Sequence, residues 1–212
     1  MDIDHERRCK ILPKNVLYEV TNRQNFREWL IKNHVKEREC WVFVKRGIPK
    51  DTANSSKSIF WYLDAIEEAL CFGWIDSIVK NVPGIGLIQK MSPRGKGSKW
   101  SELNKERCRR LEKLNLMTPA GKVVLPPDMS EESFVIDPEI LSFLQKDPSV
   151  WQNFQNFPAL YKRVRIDFIQ RVKQNKVVYE NRLKNFLEKT KQNIMFGAWN
   201  DGGRLLESHS YS

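Results

Sequence analysis

Apolar side chains recur at helical spacing near the start of the chain. Phe26, Trp29 and Leu30 stand at positions i, i+3 and i+4, which predicts an amphipathic helix over residues 25–33. Asn22 precedes this pattern at the place where a side chain caps the first turn. The spacing therefore predicts both a helix and its first residues.

Short runs of β-branched and aromatic residues predict three strands. One run covers residues 40–44, and two more, residues 74–79 and 87–91, are joined by the Pro- and Gly-containing residues 81–86. That turn chemistry is typical of a hairpin. Helical periodicity returns at residues 59–72, so a helix is expected between the first strand and the hairpin.

The second half of the chain is predicted to be helical. Ser101 and Thr118 are placed as caps of two helices, and Asp137 and Asp147, each followed by proline, begin two more. Apolar positions after residue 160 keep the helical period. We therefore expect an α+β fold, in which a small antiparallel sheet with flanking helices precedes an all-helical C-terminal unit.

Composition divides the chain into five segments. Residues 124–135 are rich in Pro, Asp, Ser and Glu, which indicates a linker. It would join an α+β domain, residues 16–123, to the helical unit, residues 136–195. The polar residues 1–15 and the Gly-, Asn- and Ser-rich residues 196–212 are expected to be flexible.

Composition also favours a folded protein with an anionic partner. Of the 212 residues, 41% are hydrophobic, and 36 Lys and Arg against 26 Asp and Glu give a formal net charge of +10. Such a chain can bury a core, and its positive charge attracts anions. No apolar stretch approaches the ~20 residues of a membrane span, and the N-terminus lacks a secretory pattern, so a cytoplasmic location is expected.

Cysteine and histidine provide little material for metal or redox centres. The four cysteines are about thirty residues apart without a CxxC pair, which excludes zinc-ribbon and thioredoxin patterns and favours reduced thiols. His5 and His209 lie near the ends of the chain, which leaves His34. A His-based catalytic triad is therefore not predicted, and no cofactor or metal is expected.

One predicted helix carries groups that could still do chemistry. Asp64 and Glu68, at i and i+4, could share a cation, whereas the adjacent Glu67 and Glu68 point about 100° apart and are not expected to reach one group. Solvated surface acids are the commoner explanation. Cys71 has no histidine nearby in sequence and is more typical of a small buried apolar residue than of a nucleophile.

Two basic segments could bind anions. Residues 92–99 contain two glycines and three cations ahead of the helix that Ser101 caps, yet they lack the Walker pattern for nucleotide hydrolysis. The last helices carry Lys162, Arg163, Arg165, Arg171, Lys173 and Lys176. Exposed aromatic residues for base stacking are not evident there, so nucleic-acid binding should be weak and salt-dependent. A solvated helical face is the alternative.

Three runs in the central part of the chain are distinctive: AIEEALCFGWIDS at residues 65–77, PRGKGSKWSELNKER at 93–107 and MTPAG at 117–121. They resemble the YdeI or OmpD-associated family of bacteriocin-protection proteins, and the resemblance extends loosely over residues 16–190. It implies a YjbR-like or frataxin-like α+β domain followed by helices. It also implies a bacterial factor connected with tolerance of bacteriocins and cationic antimicrobial peptides, without an established reaction.

The resemblance and the polar side chains at element ends together predict one ligand site. Its residues are Lys45, Glu68, Trp74, Asp76, Arg94, Trp100, Asn104 and Arg107. Arg94 and Arg107 would hold an anionic or carbonyl group, and the two tryptophans would wall the pocket. Asp76 and Glu68 would orient those guanidiniums. The alternative is a buried polar and aromatic network that ties the hairpin to its flanking helices.

The sequence thus favours a non-enzymatic binding protein whose partner is a small anionic ligand or another protein. Three alternatives stay open. The first is a frataxin-like metal carrier that uses Asp64 and Glu68, and the second is a weak nucleic-acid binder. The third is an uncharacterised enzyme that uses Cys71 or Asp76.

Overall fold

The structure is a computed structural model that describes residues 12–47, 59–84 and 86–206. Along the chain, a four-stranded sheet with flanking helices comes first and a helical region follows. This order confirms the predicted α+β fold class. Residues 49–57, a polar stretch whose composition predicts a loop, lie outside the described residues. So do the first eleven and last six residues of the predicted flexible ends.

The sheet is built around the predicted hairpin. Its strands are β1 (Val16–Leu17), β2 (Cys40–Phe43), β3 (Trp74–Val82) and β4 (Gly86–Pro93). Their order is β1-β2-β4-β3; β1 runs parallel to β2, and the other neighbours are antiparallel. β1 was not predicted, because two residues are too few to show an alternating pattern.

Eight α-helices are present among the described residues. They are α1 (Arg23–Asn33), α2 (Tyr62–Cys71), α3 (Glu102–Lys113), α4 (Pro119–Val123), α5 (Pro138–Gln145), α6 (Pro148–Asn156), α7 (Ala159–Gln170) and α8 (Lys176–Lys191). No helix within the described part of the chain is long and apolar enough to cross a membrane.

Side chains cap these helices where the sequence predicts. The Asn22 side chain accepts from the backbone N–H of Asn25 at 2.9 Å, and Thr118 caps α4 ahead of its first-turn proline. Asp137 and Asp147 begin α5 and α6 in the same way. Each cap satisfies a backbone donor that the helix itself leaves open, which is why short polar residues mark these starts reliably.

The chain folds into two compact units. The first, which we call the sheet unit, comprises Met1–Ser98 and Leu111–Leu125, and the second, the helical unit, comprises Lys99–Arg110 and Pro126–Ser212. Helix α3 therefore contributes its first residues to the helical unit and its last residues to the sheet unit.

In the sheet unit, α4 crosses the end of α2 at very short range. A Cβ atom added at Gly121 would lie 2.3 Å from the carbonyl oxygen of Cys71. The Thr118 hydroxyl donates to the same oxygen at 2.6 Å. Only glycine fits this approach, because backbone atoms cannot move aside as a flexible side chain can.

The core of the helical unit is aromatic and includes part of the C-terminal tail. Trp199 packs edge-on against the buried Tyr161, with ring centroids 5.4 Å apart, and Asp201 is also buried. Two residues of the tail, which composition predicts to be flexible over residues 196–212, are therefore packed, whereas Gly197, Ala198 and Leu206 are exposed. Composition does not reveal these contacts, because a single tryptophan and a single ion-paired acid form them within an otherwise polar segment.

Candidate functional site

A cleft of about 690 Å³ lies in the sheet unit beside the end of β2, and we call it the β2 cleft. Its apolar lining includes Tyr18, Val20, Phe43, Ile59, Phe60 and Leu87. Lys45 and Arg46 are the cations in the lining. Both are exposed. This volume and mixture of an apolar wall with a few charged groups are typical of small-molecule sites.

Backbone hydrogen bonds place Lys45 at the cleft. Its N–H donates to the Phe60 carbonyl at 2.9 Å, and its own carbonyl accepts from the N–H of Tyr62 at 3.0 Å. These bonds tie the chain after β2 to the start of α2. The Lys45 ammonium lies 5.3 Å from the centroid of the Trp61 ring, which orients the side chain. One of the predicted ligand residues therefore lines the cleft.

Arg46 connects the cleft to the predicted residue Asp76. Its guanidinium carbon lies 3.5 Å from the centroid of the Tyr62 ring, and its Nη2 donates to Gln89 Oε1 at 2.9 Å. The Tyr62 hydroxyl in turn donates to Asp76 Oδ2 at 2.8 Å. Asp76 thus accepts from the tyrosine on which the cleft residue Arg46 is stacked. Arg46 was not predicted from sequence, although its place beside Lys45 at the end of a predicted strand was a usable signal.

Glu68 belongs to a buried ion cluster formed by α1 and α2. Arg23 Nε donates to Glu68 Oε1 and Arg23 Nη1 to Glu67 Oε2, both at 2.6 Å. Arg27 Nη1 donates to Glu68 Oε2 at 2.8 Å. Both glutamates are 1% exposed. Glu68 therefore orients Arg23 and Arg27 and not the predicted Arg94 and Arg107.

This cluster corrects the expectation that Glu67 and Glu68 cannot reach one group. A guanidinium has donors on several sides, so one Arg23 side chain accepts two acids that point in different directions. Burial by itself lowers the pKa of Arg23, but the charges of Glu67 and Glu68 raise it above its ordinary value. The two glutamates are also buried, whereas the helical pattern predicted solvated surface acids.

The same cluster bears on the metal alternative. Asp64 lies 3.3 Å from Arg23 Nη1, so Asp64 and Glu68 share a cation, but the cation is a guanidinium. Among the described residues, no group of three or more His, Cys, Asp and Glu side chains could hold a metal ion.

Cys71 has the character of a buried apolar residue. It is fully buried, and burial raises the pKa of its thiol to about 12, with the Glu68 charge acting in the same direction. Thiolates are the reactive form of cysteine. At neutral pH the Cys71 side chain is therefore an unreactive thiol.

Trp74 lies in the core of the sheet unit. Its side chain is 1% exposed, it packs edge-on against Trp29 at 5.8 Å, and its indole N–H donates to the His34 carbonyl at 3.1 Å. A buried indole with a satisfied donor is typical of a core tryptophan. Arg94 is also buried in this unit, and its Nη1 donates to Ser98 Oγ at 3.2 Å.

The remaining predicted residues belong to the helical unit. Arg107 Nε and Nη2 donate to the two carboxylate oxygens of Asp201 at 2.7 and 2.8 Å, and Arg107 Nη1 donates to Asn104 Oδ1 at 2.7 Å. Trp100 is half-buried just before α3. Arg94 and Arg107 thus fall in different units, with described partners in each, and a recess shared by both stays a prediction.

Comparison with family models gives two matches. Residues 18–124 match a model described as a domain of unknown function, DUF8412, and residues 133–193 match one described as bacteriocin-protection, YdeI or OmpD-associated. The second match confirms the resemblance, but over this part of the chain alone, because the runs at 65–77, 93–107 and 117–121 fall within the first match. The YjbR-like or frataxin-like group receives no support. Comparisons with curated proteins and with solved structures find no match.

Proposed function

Because the chain belongs to the DUF8412 family, a domain of unknown function, and matches the YdeI or OmpD-associated family over residues 133–193, we propose that it is a non-enzymatic binding protein. Its ligand is a small amphipathic anion that occupies the β2 cleft. Such a ligand has an apolar body and a carboxylate, sulfonate or phosphate at one end.

The observation that carries this proposal is the distribution of side chains around the cleft. Phe43 and Leu87 belong to its apolar wall, while Lys45 and Arg46 bring two cations to the same lining. An apolar body would be removed from water by the wall, and its anionic end would meet the cations. The volume of about 690 Å³ accommodates a molecule of drug-like size.

Binding is favoured over catalysis by the state of the reactive groups. Cys71 is a buried thiol, Asp64 and Glu68 pair with Arg23, and Asp76 accepts from Tyr62. These contacts are structural, and they support neither the enzyme nor the metal-carrier alternative. Cys40, Cys71 and Cys108 are free thiols, which supports a reducing, cytoplasmic location.

The family description suggests protection against bacteriocins, and charge indicates how protection would work. A protein of formal net charge +10 repels cationic antimicrobial peptides, so direct capture is disfavoured. We therefore propose that tolerance of such peptides follows from binding an anionic ligand in the β2 cleft.

Titration with anilinonaphthalene sulfonate, an aromatic anion that fluoresces in apolar sites, tests the proposal. The folded protein should bind it saturably at one site. Lys45→Gln should weaken binding about fivefold through loss of a charge-assisted contact, and Leu87→Trp should block the cleft. Lys32→Gln, which removes the same charge from an exposed position on α1, serves as the matched control and should change affinity less than twofold.

Three outcomes would count against the proposal. The first is the absence of saturable binding by the folded protein. The second is equal weakening by Lys45→Gln and Lys32→Gln, since that would indicate general attraction to a basic protein. The third is equally tight binding of anilinonaphthalene without its sulfonate, since the cations would then contribute nothing.

A further inference from the structure

Most of the buried and half-buried arginines with described partners face a carboxylate. The examples are Arg23 with Glu67, Arg27 with Glu68, Arg107 with Asp201, Arg109 with Glu106 and Arg163 with Glu106. Arg165 and Arg182 of the helical unit differ. Within the described part of the chain, neither forms an ion pair with a carboxylate.

Both of these arginines lie against the ring of Phe168. The guanidinium carbon of Arg165, on α7, lies 5.0 Å from the centroid of the Phe168 ring, and that of Arg182, on α8, lies 3.6 Å from the same centroid. Arg165 also lies 4.1 Å from the centroid of the Phe196 ring. Arg182 Nη1 donates to the Phe168 carbonyl at 2.6 Å, which fixes the second guanidinium in place.

The local backbone makes room for Arg165. A Cβ atom added at Gly197 would lie 2.6 Å from Arg165 Nη1, and Gly197 has a φ of +80°, a conformation that other residues rarely adopt. Glycine therefore allows the guanidinium to rest against the chain at this point. The aromatic contacts and this glycine hold Arg165 in a defined position without a carboxylate from the described residues.

The arrangement leaves positive charge and donor capacity unbalanced. Arg165 Nε is buried and has no hydrogen-bond acceptor among the described residues. Burial lowers the pKa of Arg165 and repulsion from Arg182 adds to this, although the nearby Tyr161 opposes it. Burial and repulsion from Arg171 also lower the pKa of Arg182. A buried, unsatisfied charged donor is costly, and an anion bound between the two arginines would reduce that cost.

We propose that Arg165 and Arg182, together with Phe168 and Phe196, form a binding site for inorganic phosphate or a phosphate monoester. Two forked guanidiniums suit the tetrahedral oxygens of a phosphoryl group. A monocarboxylate would neutralise one of the two charges, whereas a phosphate near its dianionic state neutralises both. The site goes beyond the β2 cleft, because its residues all belong to the helical unit.

Calorimetric titration with inorganic phosphate, at an ionic strength held constant with sodium chloride, tests this site. The protein should bind one phosphate saturably. Arg182→Gln should weaken the affinity about tenfold or more, and Arg182→Lys should restore part of it, because lysine keeps the charge but not the fork. Lys184→Gln, an exposed position on α8, is the matched control and should change affinity less than twofold.

Further variants keep the result interpretable. Arg165→Gln should weaken phosphate binding as Arg182→Gln does; because Arg165 is packed against Phe196, thermal unfolding must first show that this variant folds. Should it not fold, the half-exposed Arg182 decides the question alone. Anilinonaphthalene sulfonate at a concentration that saturates the β2 cleft should leave the phosphate affinity unchanged, which separates this site from that cleft.

Four results would overturn the proposal. One is no saturable binding, and a second is equal weakening by Lys184→Gln and Arg182→Gln. A third is acetate binding as tight as phosphate binding, since the site would then not select a dianion. The fourth is binding of a short RNA oligonucleotide without binding of phosphate, which would indicate a nucleic-acid surface instead.

Discussion

The arginines of α1 and those around Phe168 show two uses of the same side chain. Arg23 and Arg27 lie against Glu67 and Glu68, so their charges are neutralised inside the sheet unit. The pair formed by Arg165 and Arg182 meets aromatic rings and backbone among the described residues. Burial is therefore not what distinguishes a structural arginine from one that can bind a ligand. For the site proposed at Arg165 and Arg182, the distinction is instead that no described carboxylate pairs with either guanidinium.

Removing the shared acid of the α1–α2 cluster should have the largest effect on stability. Glu68→Gln removes the carboxylate that Arg27 pairs with and one of the three that Arg23 pairs with, and it turns an amide N–H₂ toward one of the two guanidiniums. We expect a loss of about 3–5 kcal/mol in the free energy of unfolding, measured by urea denaturation. Glu28→Gln, exposed on α1, should cost less than about 0.5 kcal/mol, and similar losses for both variants would contradict the cluster's role.

A paired arginine in the helical unit should respond in the same direction, but less. Asp201→Asn leaves Arg107 one oxygen acceptor and places an N–H₂ against its other donor, and a single guanidinium is affected. The expected loss is about 2–3 kcal/mol in urea denaturation. Glu180→Gln, which removes an exposed acid from α8, is the control. No difference between the two variants would show that the pair is not structural.

Asp167 differs from the paired acids because nearby cations do not fully offset the cost of burying its charge. Burial raises its pKa and the charge of the Glu102 side chain adds to this, although Arg171 and the hydrogen bond from the Glu102 backbone N–H oppose it. The folded protein therefore holds this proton more tightly than the unfolded chain does, and the contribution of Asp167 to stability falls as pH rises through the interval between the unfolded pKa, about 4, and the higher folded value. Asp167→Asn abolishes the titration. The free energy of unfolding of the Asp167→Asn variant, relative to that of the unchanged protein, should therefore rise between pH 3.5 and 7. The same pH dependence for both proteins would refute this.

An exposed ion pair should give the smallest effect. Lys173 Nζ lies 2.6 Å from Asp137 Oδ2 and 2.9 Å from Glu139 Oε2, but the lysine side chain is 42% exposed. Water and salt screen such contacts. Lys173→Gln should leave the unfolding midpoint unchanged within the error of measurement, with or without 0.5 M sodium chloride. A loss like that of Asp201→Asn would show that distance alone, and not burial, sets the strength of these pairs.

Local features of the fold were predictable from sequence because their signals are local. Asn22 and Thr118 mark helix starts through bonds to residues three positions away, and the turn between β3 and β4 is encoded in its own residues. β1 carried no such signal, since its two residues gain their structure from pairing with β2.

The sites were less predictable because they depend on contacts between distant residues. Lys45 was identified through the family resemblance. The cleft that it lines could not be predicted in the same way, because its wall is formed by residues that follow β1 and by residues of β2 and β4. The sequence predicts that Glu67 and Glu68 are surface acids, because their partner Arg23 lies more than forty positions earlier in the chain. Likewise, no short motif predicts that Arg165 and Arg182 lie against the same phenylalanine ring or that Arg165 contacts Phe196.

The contacts of Trp199 and Asp201 have a consequence for proteolysis of the helical unit. Trp199 and Asp201 are buried, and Asp201 is the counterion of Arg107 on α3. A processive protease that starts at the C-terminus must extract an indole and separate a bidentate ion pair before it reaches α8. Removal of the residues after α8 would therefore expose part of the aromatic core around Tyr161 and leave Arg107 without its carboxylate partner.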